Sequence, residues 1–588
     1  MLKMDKPELV YEFGPFRLDA PERLLLRDGE PLLLAPKAFD TLLVMVANRG
    51  RILRKDDLLK AVWPETTVEE SNLSQYVSAL RKVLGDDPNG HRYIETVPKL
   101  GYRFVAPVES LEAHESRASE RMASESNVLR SMAVLPFKNL GSEVGDEYLG
   151  LGIADAIITR LGNLRLLIVR PTSSVRKYTS LTLDPVVAGR ELRVEAVLEG
   201  SIQRCDERIR VTVQLVNVRD EAPLWAEKFD VPFRDIFTVE DSTSEQVADA
   251  LILKLSREEK KGLAKRYTEN IEAYQLYLKG RYYWNQRSSG GLKKAIESFR
   301  QAINKDPVYA LAYAGLADCY NLHSHYGELS PRECFPKAKA ASTKALEIDD
   351  EMAEAHTSLA FVTAWHEWDW LGAEKEFRRA LELNPNYATA HHWYALYLTA
   401  QGRGSEALKE VTRAQEIDPL SLAINRDVGF VYHFGTRQCE LAIEQFLKTL
   451  EMDPTFWSAR WHLGLAYEQK GMYEAAIAEL KQALNLAGDR SWILGELGYA
   501  YAVSGRRKEA EKVLRELRER SQERYVSAYE IALIYAGLEA KDEAFAWLEK
   551  AYLERSYALI HLKVEPMLDS LRPDSRFADL LQRIGLAA

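Results

Sequence analysis

The polar side chains that stand out in this 588-residue chain are placed to hydrogen-bond, not to react. Between Val68 and Leu84, the residues Leu73, Val77, Leu80 and Leu84 recur at i, i+4, i+7 and i+11, the stripe of a helix buried along one side. The opposite face carries Ser71, Asn72, Ser74, Gln75, Ser78 and Ala79, with Arg81 and Lys82 at its end. Hydroxyls and amides both give and accept hydrogen bonds, while the two cations only donate. Patterns that move protons or phosphoryl groups are missing from the sequence. It has no GxxxxGK[ST] loop, no GxSxG elbow, no HExxH pair and no GxGxxG after a strand. Asp146, Glu147 and Asp155 read as a solvated helix start or face, and His391-His392 as structural residues of a helix. Cys205, Cys319, Cys334 and Cys439 are scattered without a CxxC pair, which gives neither a disulfide framework nor a zinc site. No catalytic residue, cofactor or metal is expected.

The elements around the polar face can be read in order. Pro36 to Asn48 carries Phe39, Leu42, Leu43 and Val46 at helical spacing, and Arg54 to Val62 carries Leu58, Leu59 and Val62. After the Val68–Leu84 helix come two short strands, Tyr93–Val97 and Tyr102–Val105, about a turn at Pro98-Lys99-Leu100-Gly101. Three helices followed by a hairpin is the winged-helix order. A helix of this size fits the DNA major groove, and the hairpin reaches the adjoining backbone or minor groove.

Residues 9–107 resemble the OmpR/PhoB-type winged helix. The likeness is carried by the leading strand residues Tyr11 to Asp19, by Leu34-Ala35-Pro36-Lys37-Ala38-Phe39, by Leu80-Arg81-Lys82-Val83-Leu84-Gly85, and by Gly101-Tyr102-Arg103-Phe104. The resemblance implies that Val68–Leu84 is the recognition helix. Gln75 is then the residue expected at a base edge, because its amide pairs bidentately with adenine. Ser74 and Ser78 reach base or phosphate. Asn72, Tyr76, Arg81 and Lys82 are expected at the backbone, with Lys99 and Arg103 contributed by the wing; a plainer reading makes Arg81 and Lys82 solvated helix-end charges. Family recognition helices often carry Arg where this one has Ser71, Ser78 and Ala79, and several members place an Arg where this wing has Pro98-Lys99. So few cations predict modest affinity for one copy and favour a homodimer on repeated half-sites. The loop Trp63–Thr67 occupies the position that touches RNA polymerase in this family, without independent support from its chemistry.

The net charge is −10, yet residues 1–107 carry 16 Lys/Arg and 16 Asp/Glu, so the acidic excess lies downstream. Contact with double-stranded DNA must therefore come from a local surface. The first ten residues lack an apolar signal segment, and no stretch approaches the roughly 18 apolar residues of a membrane helix. A soluble, cytoplasmic protein without membrane contact is expected. Residues 108–130, rich in Ser, Glu, Ala and Arg, read as a flexible linker. Residues 131–257 alternate strand and helix patterns, an α/β domain similar to the TolB N-terminal/FlgO-like domain of CadC-like regulators. Those regulators frequently carry a membrane helix after the DNA-binding domain, and residues 105–131 contain none. Some proteins of this architecture carry a cyclase domain; nothing here resembles one.

From about residue 270 the pattern is helical and periodic. An acidic or amide residue precedes Pro307, Pro385, Pro419 and Pro454, and Asp349-Asp350 stands at the same phase one unit before Pro385. With the small and large residues of copies such as Leu463, Gly464, Tyr467, Ala476, Leu480 and Ala483, this is the tetratricopeptide period of about 34 residues. About eight repeats are expected over 271–555, with an insert near His323–Pro331 and a capping helix within 556–588. The fold class is thus multidomain: a winged helix-turn-helix (α+β), a small α/β domain and an all-α tetratricopeptide solenoid. Phase puts His392, Arg426, Phe430, Trp461, Trp492 and Tyr499 on the concave face, as anchors for a protein or peptide partner or as packing between repeats. The expected function is a sequence-specific transcription regulator controlled through that partner. The alternative is a non-catalytic scaffold whose winged helix no longer binds DNA. Only about eight residues precede the first strand, so control through an N-terminal receiver is not expected.

Overall fold

The chain divides into two compact units, residues 1–127 and 128–588. The computed structural model describes residues 10–20, 23–27, 30–32, 34–63, 70–86, 93–98, 100–110, 129–140, 148–179, 184–205, 207–251, 256, 259, 263, 265, 267–285, 289–325, 330–488 and 490–586.

In the first unit, strands β1 (Val10–Phe13), β2 (Phe16–Asp19), β3 (Leu24–Arg27) and β4 (Glu30–Leu32) form an antiparallel ladder. Alternate residues point inward, so Tyr11, Phe13, Phe16, Leu18 and Leu25 are buried. Helices α1 (Pro36–Ala47), α2 (Lys55–Val62) and α3 (Glu70–Leu84) follow, with Pro36 opening α1 where its missing N–H costs nothing. A second sheet joins β5 (Leu53–Arg54), β7 (Gly101–Phe104) and β6 (Ile94–Val97) in that order. Phe13 meets Phe104 edge to face at 5.1 Å between ring centres, which locks the leading sheet onto the hairpin. One expectation is corrected. Strand β8 (Glu109–Ser110), read as linker, pairs with Glu12 and Tyr11 at the free edge of β1 and so belongs to this unit. Residues 111–128 of the expected linker lie outside the described residues.

The second unit begins with a mixed sheet. Strand β9 (Ser131–Val134) lies parallel to β11 (Ile168–Val169) and β12 (Ala196–Cys205), and β12, β13 (Arg208–Asn217) and β14 (Pro223–Pro232) form an antiparallel meander. The short β10 (Lys138–Asn139) pairs with β12. Helices α4 (Leu149–Gly162), α5 (Pro185–Leu192) and α6 (Ile236–Ala250) pack beside the sheet.

Eight helical hairpins follow among the described residues. Their helices are α7 (Ile271–Asn285) and α8 (Ser289–Lys305), α9 (Ala310–His325) and α10 (Pro331–Ile348), α11 (Ala353–Val362) and α12 (Trp370–Leu383), then α13 (Ala388–Ala400) and α14 (Gly404–Ile417). The array continues with α15 (Leu422–Phe430) and α16 (Cys439–Met452), α17 (Trp457–Gln469) and α18 (Tyr473–Ala487), α19 (Ser491–Val503) and α20 (Arg507–Glu523), and α21 (Ala528–Gly537) and α22 (Lys541–Glu554). First helices such as α13 are buried on nearly every side, whereas second helices such as α14 bury one stripe. A first helix packs on both neighbouring hairpins and on whatever fills the groove; a second helix faces solvent.

The α/β domain and the solenoid, expected as separate domains, are one unit. The Arg170 guanidinium donates to the carbonyls of Glu416 (2.6 Å) and Ile417 (2.8 Å), capping the end of α14. The Asn386 amide donates to the carbonyls of Leu164, Arg165 and Leu167 at 3.1–3.3 Å. Ser173 donates to Asp418 at 2.6 Å. The acidic or amide-Pro turns that punctuate the repeats therefore also hold the α/β domain. Asp155, expected on a solvated face, is 1% exposed and paired with Arg281 of α7.

Beyond α22, single turns at Tyr557–His561 and Pro566–Leu571 lead to α23 (Ser575–Ile584). This segment was expected to cap the open end. It does rest on α22, where Arg583 pairs with Glu549, but it also folds back to the third and fifth hairpins. Trp370 Nε1 donates to the Ile584 carbonyl at 2.8 Å, Tyr557 stands 6.3 Å from Trp365 and His561 stands 5.2 Å from Phe430.

Candidate nucleic-acid interface and the inner face of the repeats

Helix α3 is placed by its apolar stripe. Leu73, Val77, Leu80 and Leu84 are at most 3% exposed and lie against α1 and α2. The helix stops at Gly85, whose φ of +67° suits a residue without Cβ. Asp86 then accepts hydrogen bonds from the backbone N–H groups of Tyr93 (3.1 Å) and Ile94 (2.8 Å), which ties the hairpin to the helix end. Gly101 is equally constrained: a Cβ there would lie 2.0 Å from the Leu53 carbonyl oxygen.

The outward face divides into exposed and engaged residues. Asn72, Gln75, Ser78 and Lys82 are exposed and make no side-chain bond among the described residues. Ser74 is also exposed, with its hydroxyl 3.3 Å from that of Tyr102. Tyr76 is half-buried and packs on Trp63, the ring centres 5.5 Å apart. Arg81 was expected at a phosphate. It instead donates to the Ile94 carbonyl through Nε (3.2 Å) and Nη2 (2.9 Å), and to the Thr96 hydroxyl (2.7 Å). Arg103 is likewise held, by Glu95 at 2.5–2.7 Å. Both side chains thus work within the domain. Lys99, Pro64–Thr67 and Val68–Glu69 lie outside the described residues.

A second group of cations escaped the sequence reading. Arg49, Arg51 and Arg54 are exposed and have no ion pair among the described residues. Arg54 stands opposite Gly101 across the β5–β7 pairing, at the end of the hairpin that carries the wing turn. The run from Arg49 to Lys55 was visible, but it lies between helices, and only folding lays it along β7, with Arg54 at the wing turn and Gly50 bonded to the Phe104 carbonyl at the far end.

The concave-face candidates are largely covered by the chain itself. Arg426 and Phe430 are 8% and 7% exposed. His392 bonds Asp427 at 2.5 Å, and Arg426 pairs with the same carboxylate at 2.9 Å. His391 turns to Glu410 at 2.6 Å, so the adjacent histidines diverge. Trp461 donates to Glu496. Trp492 and Tyr499 are half-buried, the first beside the Arg490 guanidinium at 5.2 Å and the second against Gly537. Packing accounts for most of these positions.

These elements define a DNA-binding transcription regulator with an OmpR/PhoB-type winged helix and a tetratricopeptide-repeat region. Residues 29–104 match the family model of the transcriptional regulatory protein C-terminal domain, and tetratricopeptide models match 369–421, 431–491 and 467–530. The middle domain is HilA-like: residues 128–241 match the second domain of HilA/YgeH-like transcriptional regulators, where a TolB N-terminal/FlgO-like domain was expected. Among individual proteins, the chain is similar to the transcriptional regulator HilA of Salmonella typhi, 25% identical over 70% of this chain and 71% of that one. Similarity to the transcriptional activator CadC of Escherichia coli is confined to 17% of this chain and 20% of that one, at 39% identity. A putative adenylate cyclase of Rhizobium meliloti is 30% identical over 40% of each chain. No described helix is long and apolar enough to cross a membrane.

Proposed function

We propose that this regulator reads DNA with Gln75 of α3 in the major groove. Asn72, Ser74, Ser78 and Lys82 flank it, and Lys99 and Arg54 hold phosphates beside the wing. The carrying observation is the exposed row Asn72, Gln75, Ser78 and Lys82 on a helix whose other cation, Arg81, is committed to the hairpin. With so few cations on the face, two copies on repeated half-sites supply the affinity that one lacks. Contact with RNA polymerase through Trp63–Thr67 belongs to this reading by family position. Control by a protein or peptide partner belongs to it as well. Because the chain's own residues cover most of the inner face, that partner is assigned to the outer faces of the repeats and to the half-exposed Trp492 and Tyr499. Selection of bound sites from a random DNA pool by the full chain tests the proposal. Recovery of a repeated motif that Gln75→Ala no longer enriches supports it. Failure to enrich any sequence returns the scaffold reading.

A further inference from the structure

A cavity of about 120 Å³ lies between α4 of the α/β domain and the first helices of four successive hairpins. Two parts of the chain close it, and such seams are where ligand sites concentrate. Its ionisable lining is unbalanced: one cation, Arg281, stands against Asp155, Asp318 and Glu354. Arg281 is already matched, because its Nε and Nη2 reach the two oxygens of Asp155 at 2.8 and 3.0 Å, and Thr172 donates to the same carboxylate. Asp318 accepts from Ser358. Glu354 makes no side-chain hydrogen bond or ion pair to another residue among the described ones, and burial holds its proton above the usual carboxylate range. The walls add the aromatic faces of Tyr277, Trp284 and Tyr387. A smaller void of about 40 Å³ adjoins through Tyr277 and continues the aromatic lining with Tyr267, Tyr274 and Tyr309.

An unmatched carboxyl in an aromatic-walled space is costly to leave empty and well matched to one kind of guest. We propose that this cavity binds a small organic monocation, an alkylammonium or alkylguanidinium, whose charged head meets Glu354 and whose stem lies between Tyr277 and Tyr387. An apolar cavity of about 150 Å³ accepts benzene, so the guest is of that order of size, with roughly five to eight non-hydrogen atoms. It touches both the α/β domain and the repeats, so it clamps one to the other and raises the melting temperature as its concentration rises.

Calorimetric titration of the full chain with n-butylguanidinium and n-butylammonium, and with pentanoate as the anion of similar shape, tests this. Expected are one site per chain for at least one cation and none for pentanoate. Glu354→Gln weakens the cation on the order of tenfold or more, as loss of a charge-assisted bond does. Thr389→Trp, which puts a large ring into the cavity, abolishes binding. Circular dichroism identifies variants that have kept the fold, and either folded variant alone decides the role of the cavity. Proton release on binding, read from heats in buffers of different ionisation enthalpy, reports ionisation of Glu354. The proposal is overturned if neither cation binds at millimolar concentration or if pentanoate binds equally. It is also overturned if several equivalent surface sites appear, or if a folded variant retains wild-type affinity.

Discussion

The Arg81 guanidinium makes three hydrogen bonds to the hairpin, two of them to the Ile94 carbonyl. Arg81→Ala leaves that carbonyl unsatisfied beneath the helix. The expected loss is about 1–3 kcal/mol of stability, measured by chemical denaturation. A phosphate-contact role would instead leave stability unchanged and flatten the salt dependence of DNA binding. Gln75→Ala should cost about 1–3 kcal/mol at the selected site and little on random DNA. Arg54→Ala should weaken both alike and lower the salt slope by about one. Equal losses for Gln75→Ala on both DNAs would remove it from base reading. The apolar stripe of α3, and hence which residues face outward, was legible from spacing alone. Which outward cation is spent internally was not, because the acceptors of Arg81 lie on a strand 13–15 residues further on.

The repeats were the most legible elements, since each copy repeats one packing problem. Their irregular spacing now has a cause. Pro385 and Pro419 are 34 residues apart, whereas Asp350 to Pro385 and Pro419 to Pro454 span 35. Each longer repeat ends its first helix in a π-helical turn, Thr363–Glu367 and Val431–Gly435, which absorbs the additional residue. Trp365 and Phe434 in those turns meet Tyr557 and His561, so the insertions build the seat of the C-terminal segment. The last hairpins also bury carboxyls at one phase. Glu496 and Glu530 lie 34 residues apart, with Glu468 and Glu565 nearby. Burial first, and then neighbouring like charge, pushes Glu530 up to about 8, and burial pushes Glu565 to about 7. In the unfolded chain both ionise near 4.5. The folded state therefore holds more protons across this window, and the stability they contribute is lost as pH rises through the folded values. His433, brought down to about 4 by burial, acts oppositely, but only below its ordinary 6.5. Between pH 6.5 and 8 the glutamates act without that opposition, so the melting temperature should fall across that interval. Glu530→Gln should flatten the fall. A curve unchanged by that substitution would show that the carboxyl is ionised in the folded protein.

At the scale of the molecule, the groove of the solenoid is filled from both ends. The α/β domain lies on the first helices of the first four hairpins, and residues 557–571 reach those of the third, fifth and eighth. This could not be read from the repeats. Their periodicity encodes each hairpin against its neighbour, and closure depends on partners more than 200 residues away, as between Trp370 and Ile584. Phe430 shows the difference: the period of its own repeat places it on a first helix, whereas its neighbour His561 comes from beyond the last repeat. A chain ending at Ser556 should uncover Phe361, Trp365, Phe430 and Phe434. Increased binding of a hydrophobic dye and a lower melting temperature are expected. If it melts as the full chain does, the segment is a passenger. Closure also has a cost in time. Arg170 leaves the ribosome 247 residues before Ile417, its acceptor at the end of α14. At roughly 5–20 residues per second, the α/β domain waits on the order of tens of seconds for the surface that covers it. Throughout synthesis of the early repeats it offers chaperones and proteases a face that the finished protein never shows.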